Sequence, residues 1–251
     1  MKSVVIIPTY NEAEGIETLL DAVLHEAPDL DVLVVDDNSP DGTATLVECH
    51  PEHGRRIRLL NRPEKDGLGG AYRAGFRWAL EADYDAVVQM DADLSHPPDM
   101  LPALLTALEL HDVVIGSRYV PGGSVHHWSA SRRAISWAGN RYVQMVLGLP
   151  VHDATAGFKA FRRDALLRID ALSSESNGYC FQIENTWRAA RLGLRVTEVP
   201  IAFVDRVHGE SKMSPAIAGE AVVRVLAWRW RELTGGTQVP ALRTGGGGAL
   251  A

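Results

Sequence analysis

Five short, nearly unbroken runs of branched apolar residues alternate with stretches of helical periodicity, and this alternation limits the possible folds more than any other feature. The runs are SVVIIP (3–8), DVLVVD (31–36), IRLLN (57–61), DAVVQM (85–90) and DVVIG (112–116). Continuous Val, Ile and Leu is what strands need when both faces of a parallel sheet are covered. Helical patterns fill the intervals at 13–26, 41–49, 67–82 and 98–110. The βαβα rhythm predicts an α/β fold: a mostly parallel, open, doubly wound sheet flanked by helices. In such sheets ligands bind outside the carboxyl ends of the strands.

That rule ranks three copies of Asp-x-Asp. Asp29 with Asp31 and Asp83 with Asp85 precede their strands and fall at the amino end. Asp91 and Asp93 follow the strand 85–90 and face the expected crevice. Other polar clusters gather on the same rim: PTYNE (8–12), DDNSPDGT (36–43), NRPEKDGLGGAY (61–72) and GSR (116–118). Ser39 to Gly42 suit an ordinary turn and helix N-cap. Asp36 and Asp37 differ, because adjacent carboxylates at a buried strand end repel each other unless donors reach them. The glycines at 67, 69, 70 and 75 fit neither a dinucleotide fingerprint nor a Walker A loop. They read equally as amides offered to a phosphate and as a tight helix entry.

Composition narrows the function classes. A net charge of −7 argues against a general nucleic-acid partner. Cys49 and Cys180 are too few and too distant for a disulfide framework, which suits a reducing cytoplasm. No run of 18 apolar residues occurs, so no membrane span is expected.

The segments IPTYNE, DDNSPDGT, RPEKDGLGGAYRAG, MDADLSHPP, GSRY, TAGFKAFRR and DRVHGESKM occur in this order between residues 3 and 214. Together they resemble the polyprenol (dolichol) phosphate mannosyltransferases of glycosyltransferase family 2, which have the GT-A fold. The resemblance implies metal-dependent, inverting transfer of a hexose, usually mannose, from a nucleotide diphosphate sugar to a lipid monophosphate. It implies Mg²⁺ or Mn²⁺ on Asp91 and Asp93. Some relatives carry a ligating amide where Ser95 stands here. Pro8, Tyr10, Asn11, Glu12 and Asp37 are implied at the base and ribose, with Arg62, Lys65 and Asp91 near the diphosphate. Arg118, Arg132 and Arg206 are implied at the acceptor phosphate, with Ser136 and Lys212 assisting. Glu184 and Asp153 read equally as site residues and as braces for Arg or Lys.

The chemistry suits these residues. A phosphate monoester is largely ionised near neutrality and needs no strong general base. It does need cations that align it, and the planar fork of arginine does this through paired hydrogen bonds. Arg132 and Ser136 are four residues apart and share a helix face, whereas Arg133 points elsewhere. GDP-mannose is the implied donor; a UDP-sugar with glucosyl or other hexosyl transfer is the enzymatic alternative. A non-catalytic sugar-nucleotide-binding partner subunit is the alternative from another class.

A hydrocarbon-tailed acceptor requires work at a membrane surface. The helical stretch 131–147 carries Ile135, Trp137, Ala138, Tyr142, Met145 and Val146. A second stretch, 214–233, mixes Trp and Arg as interfacial helices do, although Arg229 and Glu232 interrupt its apolar side. Core packing or a subunit contact explains such a helix equally well. The expected organisation is a catalytic domain over 1–213, a membrane-interface helix over 214–234 and a Gly-rich flexible tail over 235–251. The chain is then expected to be cytoplasmic and peripheral on the cytosolic membrane face, with a separate membrane-anchoring subunit as a possible partner.

Overall fold

The computed structural model describes residues 1–174, 176, 178–205 and 215–234, the side chains of 215–218 and 220 excepted. Arg206, Lys212 and the tail from 235 therefore lie outside the described residues. The chain opens β1 (Ser3–Thr9), α1 (Ile16–Glu26), β2 (Leu30–Asp36), α2 (Thr43–Cys49), β3 (Ile57–Asn61), α3 (Gly67–Glu81) and β4 (Ala86–Gln89). A 3-10 turn leads into α4 (Leu101–Leu108), followed by β5 (Val113–Ser117), β6 (Ser124–His126) and α5 (Ala130–Leu147). Then come β7 (Lys159–Arg162), α6 (Arg163–Arg168), α7 (Gly178–Arg191), β8 (Val196–Pro200), β9 (Ala202–Val204) and α8 (Pro215–Leu233).

Among the described residues the main sheet has seven strands in the order β3-β2-β1-β4-β7-β5-β8. The pairs β1–β2, β1–β4, β2–β3 and β5–β8 are parallel, and β7 runs antiparallel between β4 and β5. Thr9 pairs with Asp36, and Asp36 with Asn61, so the first three strands end level at one rim. A small parallel pair, β6 with β9, stands apart from the main sheet.

Val4, Val5, Ile6 and Ile7 of β1 are fully buried. Successive strand residues point to opposite faces. Accordingly Val4 and Ile6 join the core beneath α3 and α7, with Tyr72, Phe76, Phe161 and Phe181. Val5 and Ile7 join the core beneath α1 and α4, with Ile16, Leu19, Leu20 and Leu104. A Cβ on Gly75 would lie 2.6 Å from Ile6 Cγ2, so only glycine lets α3 sit this close to β1. On α8, Val225 and Trp228 are buried, and Trp228 stacks on Trp187 of α7 at 5.7 Å. Tyr142 of α5 donates to the Val222 carbonyl at 3.0 Å. No described helix is long and apolar enough to cross a membrane.

Candidate active site

A cleft of about 350 Å³ opens at the carboxyl ends of β1, β2 and β4. One side is formed by Pro8, Tyr10, Glu12, Asp37 and Lys65. Asp91 and Asp93 stand in it, and Thr155, Gly157, Tyr179 and Gln182 close it from beyond β4. The other Asp-x-Asp copies are occupied at the opposite end of the sheet. Asp31 accepts from Tyr84 Oη at 2.8 Å, and Asp85 accepts from the Lys2 amide at 2.8 Å.

The adjacent carboxylates after β2 have separate donors. Asp36 accepts from Thr9 Oγ1 at 2.8 Å, the Ser39 amide at 2.8 Å and Ser39 Oγ at 2.6 Å. It therefore holds the turn. Asp37 accepts from Arg62 Nη1 at 2.6 Å. Burial raises the Asp37 carboxyl above its ordinary range, and the Arg62 charge opposes this. Ahead of α2, Asp41 accepts from the Thr43 amide and Oγ1, with Gly42 at φ +90°. Asn11 adopts φ +61° and donates its amide to Ser39 Oγ at 3.0 Å, so its backbone shapes the loop. Lys65 Nζ lies 3.7 Å over the Tyr10 ring, a cation–π contact.

The segment after β4 is more constrained. The Asp91 amide donates to His96 Nδ1 at 3.0 Å, which leaves the ring proton on Nε2, 4.0 Å from Asp91 Oδ2. Tyr72 Oη donates to Asp91 Oδ1 at 3.2 Å. Burial, reinforced by Asp91, raises the Tyr72 hydroxyl well above its usual range, so it stays a donor. Ser95 donates to Asp93 Oδ1 through its amide at 3.1 Å and its hydroxyl at 2.5 Å. Leu94 between them sits at φ +59°, a strained conformation for a bulky residue, as found at functional sites. A Cβ on Gly157 would come 3.2 Å from His96 Cε1 and 3.4 Å from Asp91 Oδ2, so glycine lets that loop close on the aspartate. Among the described residues no group of three or more His, Cys, Asp or Glu gathers for a metal. Two hard carboxylates beside an open cleft fit a divalent cation that fills its shell with water and substrate phosphate.

A second polar cluster begins at Arg118, just past β5. Its Nε and Nη2 donate to the two oxygens of Asp153, each at 2.7 Å, and Nη2 also reaches Thr155 Oγ1 at 3.0 Å. Arg118 and Asp153 are both buried. Burial works against each charge, but Asp153 outweighs it and stabilises the Arg118 cation, while Arg118 holds the carboxylate below its usual range. Arg132 donates to Asp205 at 2.7 Å and lies 4.2 Å from the Trp128 ring centre. Arg118 lies 5.6 Å from the same ring, so the two guanidinium groups share one indole. Ser136 accepts from Tyr119 Oη at 2.7 Å. Asn140 of α5 donates to Thr155 Oγ1 at 3.1 Å and accepts from its amide at 3.2 Å. An apolar groove of about 320 Å³ runs between α5 and α8, lined by Ile135, Ala138, Tyr142, Ile183 and Ala221. It shares Thr155 and Tyr179 with the cleft.

The sequence profile described as glycosyl transferase family 2 matches residues 4–169. The chain belongs to glycosyl transferase family 2. This family-2 chain is 52% identical over 237 residues to an undecaprenyl-phosphate mannosyltransferase of Micrococcus luteus, covering 93% of this chain and 98% of that protein. It is 46% identical over 232 residues to a polyprenol monophosphomannose synthase of Mycolicibacterium smegmatis, covering 90% and 86%. Among solved structures it is similar to glucosyl-3-phosphoglycerate synthase from Mycobacterium tuberculosis, with TM-score 0.64, 20% identity and coverage of 96% and 82%. A mannosyltransferase from Pyrobaculum calidifontis in complex with GDP-Man and Mn²⁺ gives TM-score 0.59, 22% identity and coverage of 95% and 66%. These structures establish the fold.

Against the residues expected from the sequence, Pro8, Tyr10, Glu12, Asp37, Lys65, Asp91 and Asp93 of this family-2 chain line one cleft. Arg62 stands behind Asp37, and Asn11 is exposed in the supporting loop. Arg118, Arg132 and Ser136 gather around Tyr119 and Trp128. Arg206 and Lys212 lie outside the described residues, although Asp205 next to Arg206 already pairs with Arg132. Glu184 accepts from Ser174 and Arg188 and braces α7. Sequence reasoning missed Tyr72, His96, Thr155, Gly157, Tyr179 and Gln182. Tyr72 and His96 stand inside the quoted segments GLGGAY and MDADLSHPP, but nothing local marks them as partners of Asp91.

Proposed function

We propose that this chain transfers mannose from GDP-mannose to a polyprenyl monophosphate, inverting the anomeric carbon, at the cytosolic surface of a membrane. The observation that carries this reading is the meeting of a carboxylate-bearing polar cleft and an apolar groove at Thr155 and Tyr179, beside Arg118. The two near-full-length relatives, named for transfer of mannose to polyprenyl phosphates, support the choice of sugar and acceptor.

In this reading Pro8, Tyr10, Asn11, Glu12 and Asp37 receive the nucleoside. Arg62 fixes Asp37, and Lys65 approaches the diphosphate from above Tyr10. Asp91 and Asp93 would hold Mg²⁺ or Mn²⁺, which supplies Lewis-acid neutralisation of the departing diphosphate. Tyr72 and Ser95 orient the two carboxylates, and His96 holds the Asp91 backbone amide. Arg118 and Arg132, with Arg206 and Lys212 contributed from the adjoining segment, align the acceptor phosphate. Its ionised oxygen is the nucleophile, so no protein base takes a proton. Asp153 and Asp205 keep the guanidinium groups in place, which reduces the reorganisation needed when the lipid arrives.

The first isoprene units occupy the groove between α5 and α8. On α8 the exposed residues Val222, Val223, Leu226, Trp230 and Leu233 fall within about 100° of arc. Arg229 and Glu232 are drawn to the packed side, where Glu232 pairs with both Arg229 and Arg191. The outward stripe is therefore continuous, and with exposed Ile135 and Trp137 of α5 it suits the headgroup layer.

The test is a transfer assay pairing GDP-mannose or UDP-glucose with a short-chain polyprenyl phosphate, with and without chelator. Mannolipid formed from GDP-mannose and abolished by chelation is expected. Preferential glucosyl transfer from UDP-glucose, or donor binding without any lipid product, would overturn the reading.

A further inference from the structure

Gln182 is 2% exposed, yet among the described residues neither its Oε1 nor its Nε2 has a hydrogen-bond partner. Buried amides seldom remain unpaired, because water is lost and nothing replaces it. Its backbone, in contrast, is firmly held. The Gln182 carbonyl accepts from Lys159 Nζ at 2.8 Å and from Thr186 Oγ1 at 2.9 Å. Lys159 is fully buried in β7, and its Nζ also reaches Thr186 Oγ1 at 2.8 Å and the Ala154 carbonyl at 3.4 Å. This clamp ties α7 to the loop that carries Thr155 and Gly157, so Gln182 stands at a fixed point of the cleft wall.

Among the described residues two other buried amides, Gln89 and Asn185, are also without a partner. Neither lines the cleft. Gln182 does line it, together with Asp91 and Asp93. Strand order indicates what meets it there. The nucleoside residues follow β1 and β2, the carboxylate pair follows β4, and Gln182 stands beyond β4 on the β7 side. A ligand running from nucleoside through diphosphate would place its sugar next. A neutral amide offers one acceptor and two donors, which complements neighbouring hydroxyls and not a phosphate charge.

We propose that Gln182 is a specificity-determining residue for the donor sugar, its carboxamide donating to one hexose hydroxyl and accepting from another. The inference rests on the sugar-nucleotide reading of the cleft and names the group that distinguishes the hexose. A site built to bond a hydroxyl rejects the analogue that misplaces it, because its own polar atoms are then left unpaired.

The experiment is calorimetric titration of wild-type protein and Gln182→Leu with GDP and with GDP-mannose, Mn²⁺ present. GDP affinity is expected to stay within about twofold, while GDP-mannose binding weakens about tenfold or more. The preference for GDP-mannose over GDP-glucose in kcat/KM should narrow in parallel. Thermal unfolding checks the variant; if it does not fold, Gln182→Asn, which withdraws the amide by one methylene, is read in the same way. Equal loss for GDP and GDP-mannose, or no change in either, overturns the inference while leaving the donor cleft intact. Wild-type protein that binds neither ligand would overturn the sugar-nucleotide reading and this inference with it.

Discussion

The two halves of the crevice are held together by different means. In the half proposed for the nucleotide, the segments after β2 and β4 hold several bonds within a few residues, while Thr9, Asn11 and Arg62 reach Asp36, Ser39 and Asp37 from farther along the chain. Asp36 holds Ser39, Asp41 holds Thr43, and Asp93 is held by Ser95. In the half proposed for the acceptor the partners are far apart in the chain and meet only in the folded state. Arg118 pairs with Asp153, Arg132 with Asp205, Asn140 with Thr155, and Tyr142 with the Val222 carbonyl. Local bonding makes a loop that keeps its shape when a distant residue changes. Long-range buried pairing makes a site whose geometry and stability fail together.

Removing Asp153 puts the largest strain on this contrast. Asp153→Ala leaves the Arg118 guanidinium buried without its carboxylate, and should cost about 3–5 kcal/mol in urea denaturation. Turnover should fall in the same variant, because Thr155 and Arg118 lose a common partner. A variant of native stability would show that this half is not integral to the fold. In the nucleotide half, Asp93→Ala should lower kcat roughly 10²–10³-fold in saturating Mn²⁺, the scale of losing one preorganised group that stabilises developing charge. Its melting temperature should stay close to that of wild type, since the bonds to Ser95 are local. Normal turnover would remove the metal assignment, and global unfolding would erase the contrast between the halves.

The same contrast explains what the sequence made legible. The strands predicted at 3–8, 31–36 and 57–61 correspond to Ser3–Thr9, Leu30–Asp36 and Ile57–Asn61, because unbroken apolar runs in chain order need no distant information. Asp91 and Asp93 could be preferred over two similar pairs by the end of the strand they follow. β7 was not visible in this way. Its four residues begin with the buried Lys159, and its place between β4 and β5 depends on antiparallel pairing with strands more than 40 residues away. β6 and β9 span three residues each, too short for a period to register. Arg118 was suggested by its motif, but its bond to Asp153 requires the fold. The unpaired amide of Gln182 is a property of burial and has no local signature. On α8, Arg229 and Glu232 interrupt the apolar side in the sequence. In space they pair with each other beside Arg191, and the outward stripe stays whole.

The central claim is that the lipid enters between α5 and α8 and delivers its phosphate next to the sugar-nucleotide cleft. Photocrosslinking tests it most directly, using a short-chain polyprenyl phosphate with a photoreactive group on its first isoprene unit, followed by peptide mapping. The account predicts adducts within residues 135–143 and at Ala221 or Val222, suppressed by unlabelled polyprenyl phosphate. Adducts confined to α1, α2 or the β2–β3 rim, with the groove unlabelled, would contradict it.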